Sequence, residues 1–178
     1  MERTHSKSIC SECFTKQKTC CALEVPVTIN DIENIKALGN NFESFAVLDE
    51  WKKDDYEGEE DWWIDSMILI KGETFKTTIK KKENGNCMFL DEKKGCTLGS
   101  NRPSACKIFP FWVENDKVVY DESLEDFCYM RKQSIDIKGG LNLLAETENK
   151  IKEYYNEIKG DCLDNKEKHK ELALSLIK

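Results

Sequence analysis

Seven cysteines in two widely separated groups constrain this chain more than any other feature. Cys10, Cys13, Cys20 and Cys21 fall in the run CSECFTKQKTCC. Cys87, Cys96 and Cys106 fall in NCMFLDEKKGCTLGSNRPSACKIFPFW, with eight and nine residues between them. Cys128 and Cys162 bring the total to nine. Cys10-x2-Cys13 is the spacing at which a tight turn brings two thiolates onto one metal ion. Cys20 and Cys21 are adjacent, so their side chains diverge in most backbone conformations. The pair suits a multinuclear cluster, or two sites meeting at one backbone. The two groups together with Cys128 read as one metal site assembled from distant segments, with plain buried thiols as the bland alternative. Joining Cys10 to Cys106 closes a loop of roughly a hundred residues, an entropic cost that grows only logarithmically and that ligation can offset.

The compartment expected for the chain agrees with this reading. MERTHSKSIC lacks the apolar core of a signal peptide, and no stretch reaches the ~18 apolar residues that span a bilayer. The expectation is a cytoplasmic protein with no membrane partner. In that compartment thiols stay reduced, and grouped cysteines bind metal more often than they pair as disulfides. Charged residues make up 34% of the 178, above the roughly 25% usual in soluble domains. The core is therefore modest, and metal bonds would help hold what it does not. The net charge of −7 argues against a nucleic-acid partner.

Residues 1–178 read as a single metal-binding domain. Residues 1–24 form an N-terminal ligand segment, 86–130 a central one, and 140–178 a pair of C-terminal helices. Thr28 can cap a helix with Asp31 in its first turn, and Ile29, Ile32, Ile35 and Leu38 form its apolar stripe until Gly39-Asn40. Phe42 to Trp51 reads as a short helix, and the acidic run DDYEGEED as a solvated loop. WWIDSMILI and TFKTTIKKK are rich in strand formers around a turn at Lys71-Gly72-Glu73, and Asn84-Gly85-Asn86 delivers the chain to Cys87.

Lys93-Lys94-Gly95 and Asn101-Arg102-Pro103 are turns before Cys96 and Cys106, where backbone N–H groups can point at thiolate sulfur. Arg102 can pair with the charge of a bound cluster or with a carboxylate. Phe109 to Trp112 form an apolar wall. FWVENDKVVYD reads as a hairpin, and Ser123 opens a helix carrying Cys128. Gly139-Gly140 reads as a break. The next helix bears Leu141, Leu144, Ile151, Tyr155 and Ile158 and ends at Gly160. Cys162 falls in a linker away from both groups and is the odd thiol. The fold class expected is α+β, a small antiparallel sheet from 62–90 and 110–120 packed with several helices around the cysteine site.

No phosphate loop, Rossmann glycine pattern, HExxH helix or serine elbow is present. The two histidines, His5 and His169, are both expected in mobile terminal settings, which argues against histidine catalysis; His5 is a conceivable ligand beside Cys10.

The ordered set Cys10, Cys13, Cys20-Cys21, Thr28 to Ile32, Cys87 to Leu90, Gly95-Cys96, Arg102-Pro103, Cys106 and Phe109 to Phe111 resembles the YkgJ-type cysteine-cluster family, a zinc- or iron-chelating domain. The likeness covers residues 10–40 and 86–130. The chain departs from it in the six residues between Cys13 and Cys20 and in the unmatched stretch 41–85. The resemblance implies metal or iron–sulfur binding and points to flagellin lysine-N-methylases, which contain a similar domain. The expected ligands are Cys10, Cys13, Cys20, Cys21, Cys87, Cys96, Cys106 and Cys128. All-cysteine ligation suits an iron–sulfur cluster of the 4Fe-4S type or a zinc ion. Three functions stay open: an iron–sulfur protein with a redox, maturation or protein-modification role; a structural zinc module presenting a surface to a protein partner; and a protein-lysine N-methylase-like enzyme.

Overall fold

The computed structural model describes residues 13, 20–52, 60–122, 128–133 and 136–177. Its first helix, α1 (Ile29–Ala37), starts as its sequence dictates. Thr28 Oγ1 accepts from the Asp31 N–H at 3.0 Å and Asp31 Oδ2 accepts from the Thr28 N–H at 2.9 Å, a reciprocal capping box. Ile29, Ile32 and Ile35 are buried. Leu38, expected to complete the stripe, is the helix cap and 50% exposed. Gly39 then turns the chain at φ +89°.

A short helix α2 (Phe42–Phe45) leads into strand β1 (Ala46–Glu50), where helix was expected. Extended backbone lets β1 pair along the whole of β3 (Glu73–Ile79), Ala46 opposite Ile79 and Glu50 opposite Phe75. Strand β2 (Ile68–Ile70) pairs with the start of β3, giving the antiparallel order β1-β3-β2. Lys71 and Gly72, both at positive φ, make the two-residue hairpin turn that fits strand twist. Residues 25–27 continue the β2 side of β3 through Val27 N–H to Thr77 O (3.3 Å) and Ile79 N–H to Val25 O (3.1 Å). Trp62 and Trp63 are not strand residues; they lie in helix α3 (Asp61–Asp65). From there each indole reaches an aromatic partner that a strand would not offer, Trp62 edge-on to Tyr155 and Trp63 against Trp51.

Among the described residues the expected single sheet is instead three. Strands β4 (Leu90–Asp91) and β5 (Gly95–Cys96) form a small ladder, and β6 (Phe111–Glu114) and β7 (Lys117–Tyr120) a hairpin about Asn115-Asp116. Helix α4 (Ser104–Ile108) lies between them, and α5 (Tyr129–Gln133), α6 (Ile137–Leu144), α7 (Glu148–Asp164) and α8 (Lys166–Ser175) follow. Gly139 and Gly140 do not break the chain; they sit in the first turn of α6, where Asp136 Oδ1 accepts from the Gly139 N–H at 2.6 Å. The absence of a side chain at Gly140 lets α6 approach β6 and β7 closely. The break comes at Ala145, in the left-handed region, before Thr147 caps α7. Gly160 and Cys162 lie inside α7, which runs on to Asp164. The architecture is α+β, with α7 packed against α3, α4 and the β6–β7 hairpin. Ile32, Ile35, Phe45, Ile108, Phe111 and Ile151 are fully buried in its core.

Candidate metal centre

Thiols from five places in the fold line one cavity of about 100 Å³. Cys13 and the Cys20–Ala22 turn come from the N-terminal segment, Cys87 from the loop after β3, Cys96 from β5, Cys106 from α4 and Cys128 from the residue before α5. Cys20 and Cys21 border the same space despite being adjacent. Seven of the eight expected ligands therefore meet, as does Arg102. Cys10 and His5 lie outside the described residues, as do the helix start expected at Ser123 and most of the acidic run. None of the eight described cysteines is in a disulfide. The remaining wall is apolar, with Val25, Ile79, Leu98, Phe109, Pro110 and Met130 among its residues. Such a wall keeps water from a thiolate site.

Backbone pairing holds the two cysteine groups together. Cys87 N–H donates to Cys21 O at 2.7 Å, and Met88 N–H to Lys80 O at 3.0 Å. Leu90 faces Cys96 across the β4–β5 ladder, and Thr97 N–H closes onto Phe89 O at 2.8 Å. Asp91 Oδ1 accepts from the Lys93 and Lys94 N–H groups, both at 2.8 Å, which forms the expected turn, and Gly95 at φ +80° completes it. Backbone donors do reach sulfur, but from residues that follow the thiols and not from the turns expected before them: Phe89 N–H to Cys87, and Leu98 and Gly99 N–H to Cys96. Cys106 differs. It sits within α4, its own N–H bonded to Pro103 O at 2.9 Å.

Four of the thiols feel one another in every pairing. Burial chiefly raises the Cys106 thiol well above the ordinary range, followed by the charges of Cys87, Cys21 and Cys96. Burial pushes Cys87 up to about 11, with Cys21 and Cys96 adding to it. Cys96 is raised by burial and by Cys21, against its two backbone donors and Arg102. These are all six pairs among Cys21, Cys87, Cys96 and Cys106. Arg102 offsets charge at Cys96 and Cys106, and Lys82 offsets it at Cys87. Lys82 carries no signal in its sequence, where it closes a run of three lysines.

Cys106 is only partly buried by surface area, yet burial is the largest effect on its thiol; its remaining accessibility opens on the cavity it lines. Among the described residues, no three His, Cys, Asp or Glu side chains stand ready to hold a metal ion directly. The thiols border a space instead of closing on a point. That space far exceeds the ~10–15 Å³ one water requires. Soft thiolate donors, backbone N–H···S bonds and nearby cations together fit a thiolate-bound metal group.

Cys162 stays outside the cavity, as expected of the odd thiol. It lines a separate small pocket with Ser66, Lys76, Asp161 and His169. His169 is not in a mobile setting: it lies in α8, bonded to Asp161, with its side chain 12% exposed.

Residues 9–129 match the CxxCxxCC family, described as a "putative zinc- or iron-chelating domain". The match covers more than half of the chain, including all eight cysteines expected as ligands. No solved structure matches the chain.

Proposed function

We propose, for a chain that belongs to the CxxCxxCC family of zinc- or iron-chelating domains, a resident iron–sulfur cluster of the four-iron type held by Cys21, Cys87, Cys96 and Cys106. The observation that carries this reading is geometric: those four thiols, brought from the N-terminal turn, the loop after β3, β5 and α4, line one cavity of about 100 Å³. Four thiolates satisfy one such cluster. A cluster fills a space between thiols, whereas a single zinc ion draws its four sulfurs onto one point.

The chain's own residues set the conditions. Arg102 and Lys82 offset the negative charge of the thiolates, and the N–H groups of Phe89, Leu98 and Gly99 lower the electron density on sulfur. Phe109, Pro110 and Met130 keep bulk water away. When bound, a cluster of this kind supplies one-electron transfer. Cys13, Cys20 and Cys128 line the same cavity.

Anaerobic purification followed by iron, zinc and sulfide analysis with a visible spectrum tests the reading. A brown protein with iron and acid-labile sulfide in equal amounts supports it. A colourless protein with stoichiometric zinc would replace it with a structural zinc module.

A further inference from the structure

The carboxylate of Asp31 does more than cap its own helix. Asp31 is 2% exposed, and its Oδ2 closes the capping box on the Thr28 N–H. Oδ1 reaches out of the helix to accept from the Ser104 N–H at 3.0 Å and from Ser104 Oγ at 3.3 Å. Ser104 Oγ also lies 2.9 Å from Glu157 Oε2 on α7. One buried carboxylate thus sits at the N-termini of two helices distant in sequence, where partial positive charge favours it.

Helix α1 follows the N-terminal half of the ligand set, and α4 carries Cys106 of the central half. Ser104 is the first residue of α4, and Cys106 is two positions on. At 3.6 residues per turn two positions rotate by roughly 200°, so Ser104 faces the carboxylates while Cys106 faces the cavity. A five-residue helix has almost no stability of its own, so its rotation is set by what grips it. On the other side, Thr28 directly follows residues 25–27 on β3, and the segment begins at Cys20-Cys21. We propose that Asp31 is a positioning residue for the metal centre. It fixes the rotation of α4, and hence Cys106, relative to the segment that carries Cys21.

This inference rests on the metal reading above, and one experiment separates the two. Full-length wild type, Asp31→Asn, Ser104→Ala and Thr28→Ala are purified anaerobically with the metal they acquire. A chelator is then added, and metal release is followed by loss of visible absorption for iron or by a chromogenic dye for zinc. Thr28→Ala removes the cap but leaves Asp31 bonded to Ser104, so it reports loss of helix stability alone.

The expected result is release several-fold faster in Asp31→Asn than in wild type, short of the roughly 10–100-fold typical of a group bonded directly to a metal ligand. Ser104→Ala moves in the same direction, and Thr28→Ala stays near wild type although its melting temperature falls. Asp31→Asn releasing metal no faster than Thr28→Ala would overturn the inference and leave Asp31 as a cap only. If Asp31→Asn does not fold, Ser104→Pro, which removes both the N–H and the hydroxyl that bind Oδ1 at a first helical position that tolerates proline, decides against Thr28→Ala in the same way. Wild type that carries no metal would overturn the metal reading itself, and this inference with it.

Discussion

The backbone N–H of Cys87 donates to the carbonyl oxygen of Cys21 at 2.7 Å. Sixty-five residues separate these two cysteines, yet each contributes a thiol to the same cavity. The bond is made by backbone, so replacing a side chain at either position leaves it in place. Ligand substitutions therefore test metal binding with little disturbance of the join.

Serine at position 21, 87, 96 or 106 should each remove most of the bound metal, because three thiolates and a hydroxyl make a poor soft-metal site. Cys162→Ser should leave metal content unchanged, since Cys162 lines a different pocket. Metal per chain, measured by elemental analysis on matched preparations, checks both halves. Equal loss in Cys162→Ser would contradict the assignment.

Metal affinity should strengthen as pH rises. Burial and mutual charge hold Cys87 near 11, and raise Cys96 and Cys106. A metal must displace their protons, so affinity gains roughly tenfold per pH unit for each proton displaced below those values. The chelated protein should show the opposite trend. A thiol whose folded pKa is raised contributes stability that is complete below its unfolded value of about 8.5 and lost as pH climbs through the folded one. Urea unfolding of the chelated, reduced protein at neutral pH and at roughly pH 10 should show the loss.

Chelation should lower the melting temperature substantially, because ligation joins segments that the modest core holds only in part. Circular dichroism and the melting curve before and after chelation give the comparison. Superimposable curves would mean that the fold stands without its metal.

Gly140→Ala should destabilise the protein by about 1–3 kcal/mol, the usual range for overpacking. Its Cβ would clash with Tyr120 Oη and meet Phe111 Cζ at 3.1 Å. Tyr120 cannot give way freely, since its hydroxyl donates to Asp136 O at 2.8 Å. Denaturant unfolding reads the change directly.

Features written in short-range chemistry were legible before the fold was known. The cap at Thr28 with Asp31 in the first turn, the turn at Lys71-Gly72-Glu73 and the hairpin in FWVENDKVVYD follow from local residue types, while the meeting of the two cysteine groups follows from the chemistry of grouped thiols. What failed depended on distant partners. Trp62 and Trp63 carry strand propensity, but Tyr155 and Trp51 give them a better place in a helix. Gly139-Gly140 reads as a break until β6 and β7 show why α6 needs no side chain there. The reach of Asp31 to Ser104 is invisible in sequence, because nothing local distinguishes a carboxylate that caps one helix from one that grips two.

The most direct test of the account is X-ray absorption at the metal edge of the anaerobically purified protein, wild type beside Cys21→Ser. The account predicts a sulfur-only first shell with iron–iron scattering beyond it in wild type. In Cys21→Ser the metal should be mostly lost, and what remains should have a first shell short of one sulfur. A wild-type first shell dominated by oxygen or nitrogen, or one unchanged by Cys21→Ser, would contradict a centre built from both cysteine segments.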